Sequence, residues 1–146
     1  MTLHERIAQL ADRYGLPDGA TDRIERLLEA LAAEPDPHTT VAEPSRSVDQ
    51  HVADSLSALD VDALRGAARV VDIGAGAGFP GLPLAIALPH ARVDLIEATG
   101  RKAALIERLA AAAGIANARA LPVRAEEWAA GEGAGAYDAA TARAVA

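Results

Sequence analysis

Hydrophobic positions in the first third of the chain recur at helical spacing. Leu3, Ile7, Leu10 and Tyr14 fall on one face, and Gly15 and Pro17 end that helix. Ile24, Leu27, Leu28 and Leu31 form a second stripe, with Asp22 and Glu25 spaced as a capping box at its start and Pro35 and Pro37 closing it. Residues 35–46, PDPHTTVAEPSR, have turn composition and read as a linker or long loop. Ser47 and Gln50 then carry the start signal of a third helix, whose apolar side is Val48, Val52, Leu56 and Leu59. From Ala68 the period changes. Short runs at 68–73 (ARVVDI), 91–98 (ARVDLIEA), 118–123 (ARALPV) and 137–145 (YDAATARAV) predict four strands. Helical stretches separate them, the clearest being RKAALIERLAAAAG, with Leu105, Ile106 and Leu109 on one face and Gly114 as its stop. Strands alternating with helices predict a parallel sheet, hence an α/β, Rossmann-like fold behind an N-terminal helical layer. The expected division is a helical segment, 1–66, packed on a sheet domain, 67–146.

Composition narrows the function classes. Hydrophobic residues make up 51% of the 146, enough for a folded core. The absence of cysteine removes disulfides, thiolate metal sites and a cysteine nucleophile. The N-terminus lacks the pattern of a secretory signal and no run approaches a membrane span, so the expected address is cytoplasmic, with no membrane partner. Net charge is −7, and it sits in residues 1–66, which hold 6 Lys and Arg against 13 Asp and Glu; residues 67–146 hold 8 against 8. A nucleic-acid partner would therefore meet the second half, where Arg101, Lys102, Arg108, Arg119, Arg124 and Arg143 are available for a positive patch. Four aromatic residues are too few for a base-stacking platform.

The chemistry-bearing stretch is VVDIGAGAGFPGLPLAI, residues 70–86. Glycines at a strand-to-helix turn permit positive φ and let backbone N–H groups approach a ligand, with the helix N-terminus behind them. Residues 76–81 match G-x-G-x-x-G, and Glu97 lies roughly 20 residues on, where a ribose-binding acid is expected. The fuller pattern is Asp72-x-Gly74-x-Gly76-x-Gly78. A carboxylate two residues before the first glycine suits a cationic cofactor better than a pyrophosphate, which favours S-adenosylmethionine over NAD. The expected site is a bare peptide crevice fenced by Asp72 and Glu97.

HVADSL (51–56), the glycine stretch with its GFPG, LIEATGRKAALIERLA (95–110), VRAEE (123–127) and DAATARAVA (138–146) together resemble the small-subunit ribosomal RNA guanine-N7 methyltransferase family, also called glucose-inhibited division protein B. The resemblance implies a class I, S-adenosylmethionine-dependent methyltransferase acting on 16S rRNA or the small ribosomal subunit. Laid on this chain, it implies that Gly74, Gly76, Gly78 and Phe79 line the cofactor, that Glu97 accepts from the ribose hydroxyls, and that Ala125 and Glu126 meet the adenine. Arg143 would pair with the cofactor carboxylate or a substrate phosphate, and His51 and Asp54, the family's H-x-x-D, would lie near the cofactor.

The resemblance departs in two places. The family's Trp-Asn and Asn-Leu-Thr segment is replaced by EALAAEPDPHTTVAEP. Such folds also have seven strands, so the sequence is expected to be an incomplete member whose C-terminal strands are missing and whose fourth strand offers an edge for self-association. A noncatalytic cofactor-binding or assembly module, and an NAD-dependent oxidoreductase, stay open as alternatives. His4, His38 and His90 show no ligand spacing and predict no metal site.

Overall fold

A computed structural model describes residues 1–143, so the last part of the predicted fourth strand, residues 144 and 145, lies outside the described residues. Four parallel strands, β1 (Arg69–Ile73), β2 (Arg92–Ile96), β3 (Ala118–Leu121) and β4 (Ala139–Ala142), form one sheet in the order β3-β2-β1-β4. The chain builds outward from β1 to β3 and then returns to the other side of β1. That reversal puts a topological switch between β1 and β4, the place where open α/β sheets bind ligands at the carboxyl ends of their strands.

Helix α1 (Leu3–Tyr14) begins with a capping box the periodicity did not indicate: the Thr2 hydroxyl accepts from Glu5 N–H, and Glu5 answers the Thr2 N–H. Gly15, at φ +62°, ends it in the left-handed conformation. The box expected at Asp22 and Glu25 does not form. Helix α2 (Ala20–Ala33) starts three residues earlier, behind Gly19 with no side-chain cap, so Asp22 sits inside its first turn. The third start is displaced too. Pro44 opens α3 (Pro44–Ser47), because proline is preorganised for the first helical turn, and the backbone then widens into a π turn (Val48–Ala53) before α4 (Asp54–Leu56) and a 3₁₀ turn to Asp60. Ser47 is therefore internal and buried, and its hydroxyl donates to the Val41 carbonyl instead of capping.

A short helix α5 (Asp62–Arg65) leads into β1. Helix α6 (Gly81–Ala87), which joins β1 to β2, is buried almost all round. The sheet lies on one side of it and α2 and α4 on the other, which is why GLPLAIA carries no charge. Helix α7 (Gly100–Ala112) packs on β3 and α2. Buried side chains from α1, α2, the π turn, α6, α7 and one face of β1 and β2 form one contiguous core from Ile7 to Ile115. Asn117 stitches the exit of α6 to the entry of β2, its side-chain amide donating to the Ala85, Leu88 and Ala91 carbonyls. No helix among the described residues is long and apolar enough to cross a membrane.

The opposite sheet face carries Val71, Ile73, Asp94 and Ile96, and there α8 (Ala125–Ala130) and the segment after it are held by a polar network. Asp94 accepts from Arg119 Nε at 2.7 Å and from the Tyr137 hydroxyl at 2.6 Å, and Trp128 Nε1 donates to the same hydroxyl. Burial pushes the Asp94 carboxyl up, but the bonds from Arg119 and Tyr137 outweigh it and leave it below the usual range. Asp138 completes the placement of β4 by accepting from the Ala68 and Arg69 N–H groups at the start of β1.

Leu84 is fully buried in α6. Leu84→Ala is expected to lower stability by about 2–5 kcal/mol, read as a fall in the urea midpoint with the slope unchanged.

Candidate functional site

The turn from β1 into α6 is a loop whose backbone donors are almost all accounted for. Gly74 and Ala75 N–H both donate to the Ile96 carbonyl at the end of β2, Gly78 N–H to Ala75, and Leu82 N–H to Gly78. Two of the remaining donors go to carboxylates. Gly76 N–H donates to Glu97 Oε2 at 3.1 Å and Gly81 N–H to Asp72 Oδ2 at 2.9 Å. The two acids flagged in the sequence thus grip the same loop from its two ends. They are joined through its backbone rather than by an open crevice.

Three glycines are required by conformation. Gly74, Gly76 and Gly78 have φ of +66°, +55° and +96°. A Cβ on Gly76 would enter open space, so the loop presents bare backbone outward there, whereas one on Gly78 would meet Leu82 Cδ1 at 2.6 Å. Gly81 matters for another reason, visible in the sequence only as the last glycine of the six-residue match. A Cβ at that position would lie 2.5 Å from Leu95 Cδ2 and 2.9 Å from Asp72 Oδ2, so only glycine lets α6 start this close to the sheet.

Asp72 is buried beneath the loop, and Thr141 of β4, its neighbour in register, donates to Oδ1 at 3.2 Å. Burial raises the Asp72 carboxyl to about 6, against the opposing bonds from Gly81 and Thr141 and the nearby Arg143 charge. Glu97, just past β2, holds Gly76 N–H with one oxygen and faces Thr99 N–H at 3.4 Å with the other. Each oxygen keeps lone-pair capacity for a further donor.

A second cluster adjoins the loop. The His51 ring stacks on Phe79 with centroids 4.7 Å apart and planes 17° apart. Its Nε2 lies 2.8 Å from the Val41 carbonyl and 3.2 Å from Thr39 Oγ1, while its Nδ1 lies 2.8 Å from Arg143 Nη2. Arg143 Nη1 is 3.4 Å from Asp54 Oδ2. The fold therefore brings His51, Asp54, Phe79 and Arg143 together across 92 positions of sequence. Thr39 and Val41, which hold the histidine, sit in the stretch read as a linker or long loop and carried no functional signal. Thr141 could have been found from strand alternation opposite Asp72.

Beside this cluster a hollow of about 620 Å³ opens between β4 and the helices before β1, lined by Asp54, Ser55, Leu64, Pro80, Thr141 and Arg143 among others. Neither Asp72 nor Glu97 lines it. Ala125 and Glu126 belong to neither hydrogen-bonded cluster. Ala125 begins α8 and lines a smaller hollow with Ile73 and Ile96 on the opposite sheet face, and Glu126 is exposed. Half of the basic patch is paired: Arg108 with Glu34, Arg119 with Asp94 and Arg143 with the His51 cluster.

The family model described as rRNA small subunit methyltransferase G (GidB) matches residues 26–146. Proteins named ribosomal RNA small subunit methyltransferase G are similar to the chain. The one from Sorangium cellulosum is 45% identical over 73% of this chain and 45% of its own length; that from Rubrobacter xylanophilus is 46% identical over 71% and 40%. The one from Solibacter usitatus is 46% identical over 62% and 42%. The chain thus spans less than half the length of these relatives. A solved protein-L-isoaspartate O-methyltransferase shares the fold, with a TM-score of 0.53 at 15% identity over 84% of this chain and 42% of that one.

The folded Asp72 carboxyl binds its proton more tightly than the unfolded one, whose value is 3.8, so its charge opposes folding at neutral pH and that opposition fades as pH falls through 6. Asparagine can accept from Gly81 and donate to Thr141 without charge. Asp72→Asn is expected to raise the melting temperature at pH 7.5, with the gain shrinking by pH 5. A lower melting temperature at pH 7.5 would contradict the assignment.

Proposed function

We propose that this chain, which belongs to the rRNA small subunit methyltransferase G family, binds S-adenosylmethionine over the carboxyl ends of β1 and β2 and serves methyl transfer to N7 of a guanine in 16S rRNA. The observation that carries the reading is the loop strung between two buried acids, Gly76 N–H on Glu97 and Gly81 N–H on Asp72, beside the switch between β1 and β4. The residues fit such a cofactor. Gly76 leaves open space where any Cβ would intrude, and Glu97 stands at the rim as an acceptor for hydroxyl donors.

When bound, S-adenosylmethionine supplies a methyl group made electrophilic by a positively charged sulfur. Guanine N7 holds an in-plane lone pair, so it needs no prior loss of a proton and the chain need provide no general base. What the chain provides is orientation. Gly74, Gly76, Gly78 and Phe79 form the surface the cofactor lies against, Glu97 holds its ribose, and Ala125 and Glu126 border the adenine side. Asp72 keeps the loop seated from below and sets negative charge under it. Arg143, with His51 and Asp54 around it, offers a guanidinium to an anionic oxygen of the cofactor or the RNA. The absence of cysteine fits N7 chemistry, since attack at a pyrimidine C5 would call for a thiolate nucleophile.

Calorimetric titration is expected to register S-adenosylmethionine and not NAD. Glu97→Gln is expected to weaken the former roughly ten-fold, the loss of a charged acceptor, with little change in melting temperature. Methyl transfer to undermethylated small subunits by the same chain tests the reaction itself. Cofactor binding without transfer would indicate a noncatalytic module, and binding of NAD alone would overturn the reading.

A further inference from the structure

The hydrogen bonds around His51 leave its ring a single arrangement. The Val41 carbonyl can only accept, so Nε2, at 2.8 Å, must carry the hydrogen. A guanidinium can only donate, so Nδ1, at 2.8 Å from Arg143 Nη2, must present a lone pair. Both demands are met by the neutral Nε2–H tautomer and by no other form of the ring. The ring is 6% exposed and stacked on Phe79, so it is clamped between the segment before α3, the glycine loop and the end of β4. The widened π turn is the local backbone that sets it there.

The same bond divides the guanidinium. Nη2 is engaged by His51, while Nη1 is buried, makes no hydrogen bond among the described residues and is ion-paired with Asp54 at 3.4 Å. The Asp54 carboxylate balances its charge without taking a hydrogen bond from it, so among the described residues Nη1 keeps its donor capacity for an acceptor oxygen.

We infer that His51 is a positioning residue: its neutral imidazole accepts from Arg143 Nη2 and so aims the Nη1 donor at an anionic oxygen of the bound ligand, either the cofactor carboxylate or an RNA phosphate. This rests on the reading of the site given above and adds to it that His51 acts through Arg143 and touches neither ligand. A proton on Nδ1 would abolish the acceptor and set a cation against the guanidinium. Burial, first, and the Arg143 charge hold the histidine below its usual 6.5, against the Val41 bond and Asp54. The lock is thus closed at neutral pH and opens only as pH falls below about 6.5. The charged groups around the ring are Arg143 from the end of β4 and Asp54 from α4; Arg143 also acts on Asp72 of β1, and the contacts from Thr39 and Phe79 are uncharged.

The test uses S-adenosylhomocysteine, which cannot react, and an unmethylated small-subunit rRNA fragment as separate probes. His51→Phe keeps the stack and removes the acceptor; it is expected to weaken roughly ten-fold or more whichever probe supplies the oxygen. His51→Gln, whose amide can donate to Val41 and accept from Arg143, is expected to stay within about three-fold of wild type at pH 7.5. Asp72 also titrates near pH 6, so the pH series compares histidine with glutamine at position 51 in the otherwise unchanged chain, where the Asp72 contribution is common to both. The affinity should fall more steeply with histidine than with glutamine as pH drops below 6.5. Wild-type affinity for both probes in His51→Phe, or an equal pH dependence in the glutamine variant, overturns the inference. Imidazole ¹⁵N shifts of the unliganded wild-type chain test it without ligand or substitution. A neutral Nε2–H ring at pH 7.5 is expected; an Nδ1–H or protonated ring refutes the lock even if neither probe binds, whereas failure of the probes with the expected ring tells against the site reading alone.

Discussion

Two buried carboxylates hold one glycine loop, and the rest of the fold serves to keep them there. A loop of consecutive turns has backbone N–H groups that helix and sheet ladders cannot satisfy, and leaving them bare in a packed interior costs free energy. Here the end of β2 takes two, and Glu97 and Asp72 take one each. The cost is transferred to Asp72, whose charge is held in a poorly solvated place and whose carboxyl rises to about 6 in consequence.

The N-terminal helices follow from that arrangement. Helix α6 begins at Gly81, directly over Leu95 and Asp72, and runs buried against the sheet. Something apolar must cover its other side, and α2 and α4 do so. Covering α6 also delivers the π turn to the carboxyl end of the sheet, which is how His51 reaches Phe79 and Arg143. The acidic segment is thus both a lid on the core and the source of the histidine that orients a cation.

The opposite face answers a different need. Strand β4 pairs with β1 alone among the described residues, so its position depends on what anchors the chain before it. Asp138 bonded to the start of β1, and the Asp94, Arg119, Tyr137 and Trp128 network, supply that anchor, and they set where Thr141 and Arg143 arrive.

Much of this was legible along the chain because it depends on local periodicity and on residue types with few uses. Alternation marked four strands, and the glycines at 74, 76 and 78 marked a turn that side chains would forbid. Asp72 and Glu97 were legible as the acids flanking it. Helix starts were less so: α2 begins at Ala20 behind Gly19 and α3 at Pro44, although Asp22 and Ser47 had the capping spacing, because a cap forms only where tertiary packing lets the preceding residue leave the helix. What tertiary structure alone decided was partnership. That Asp72 binds Gly81 and Thr141, that the loop before α3 holds His51 through Val41, and that His51 meets Arg143 are contacts between separate segments, set by how the layers stack and invisible to any local pattern.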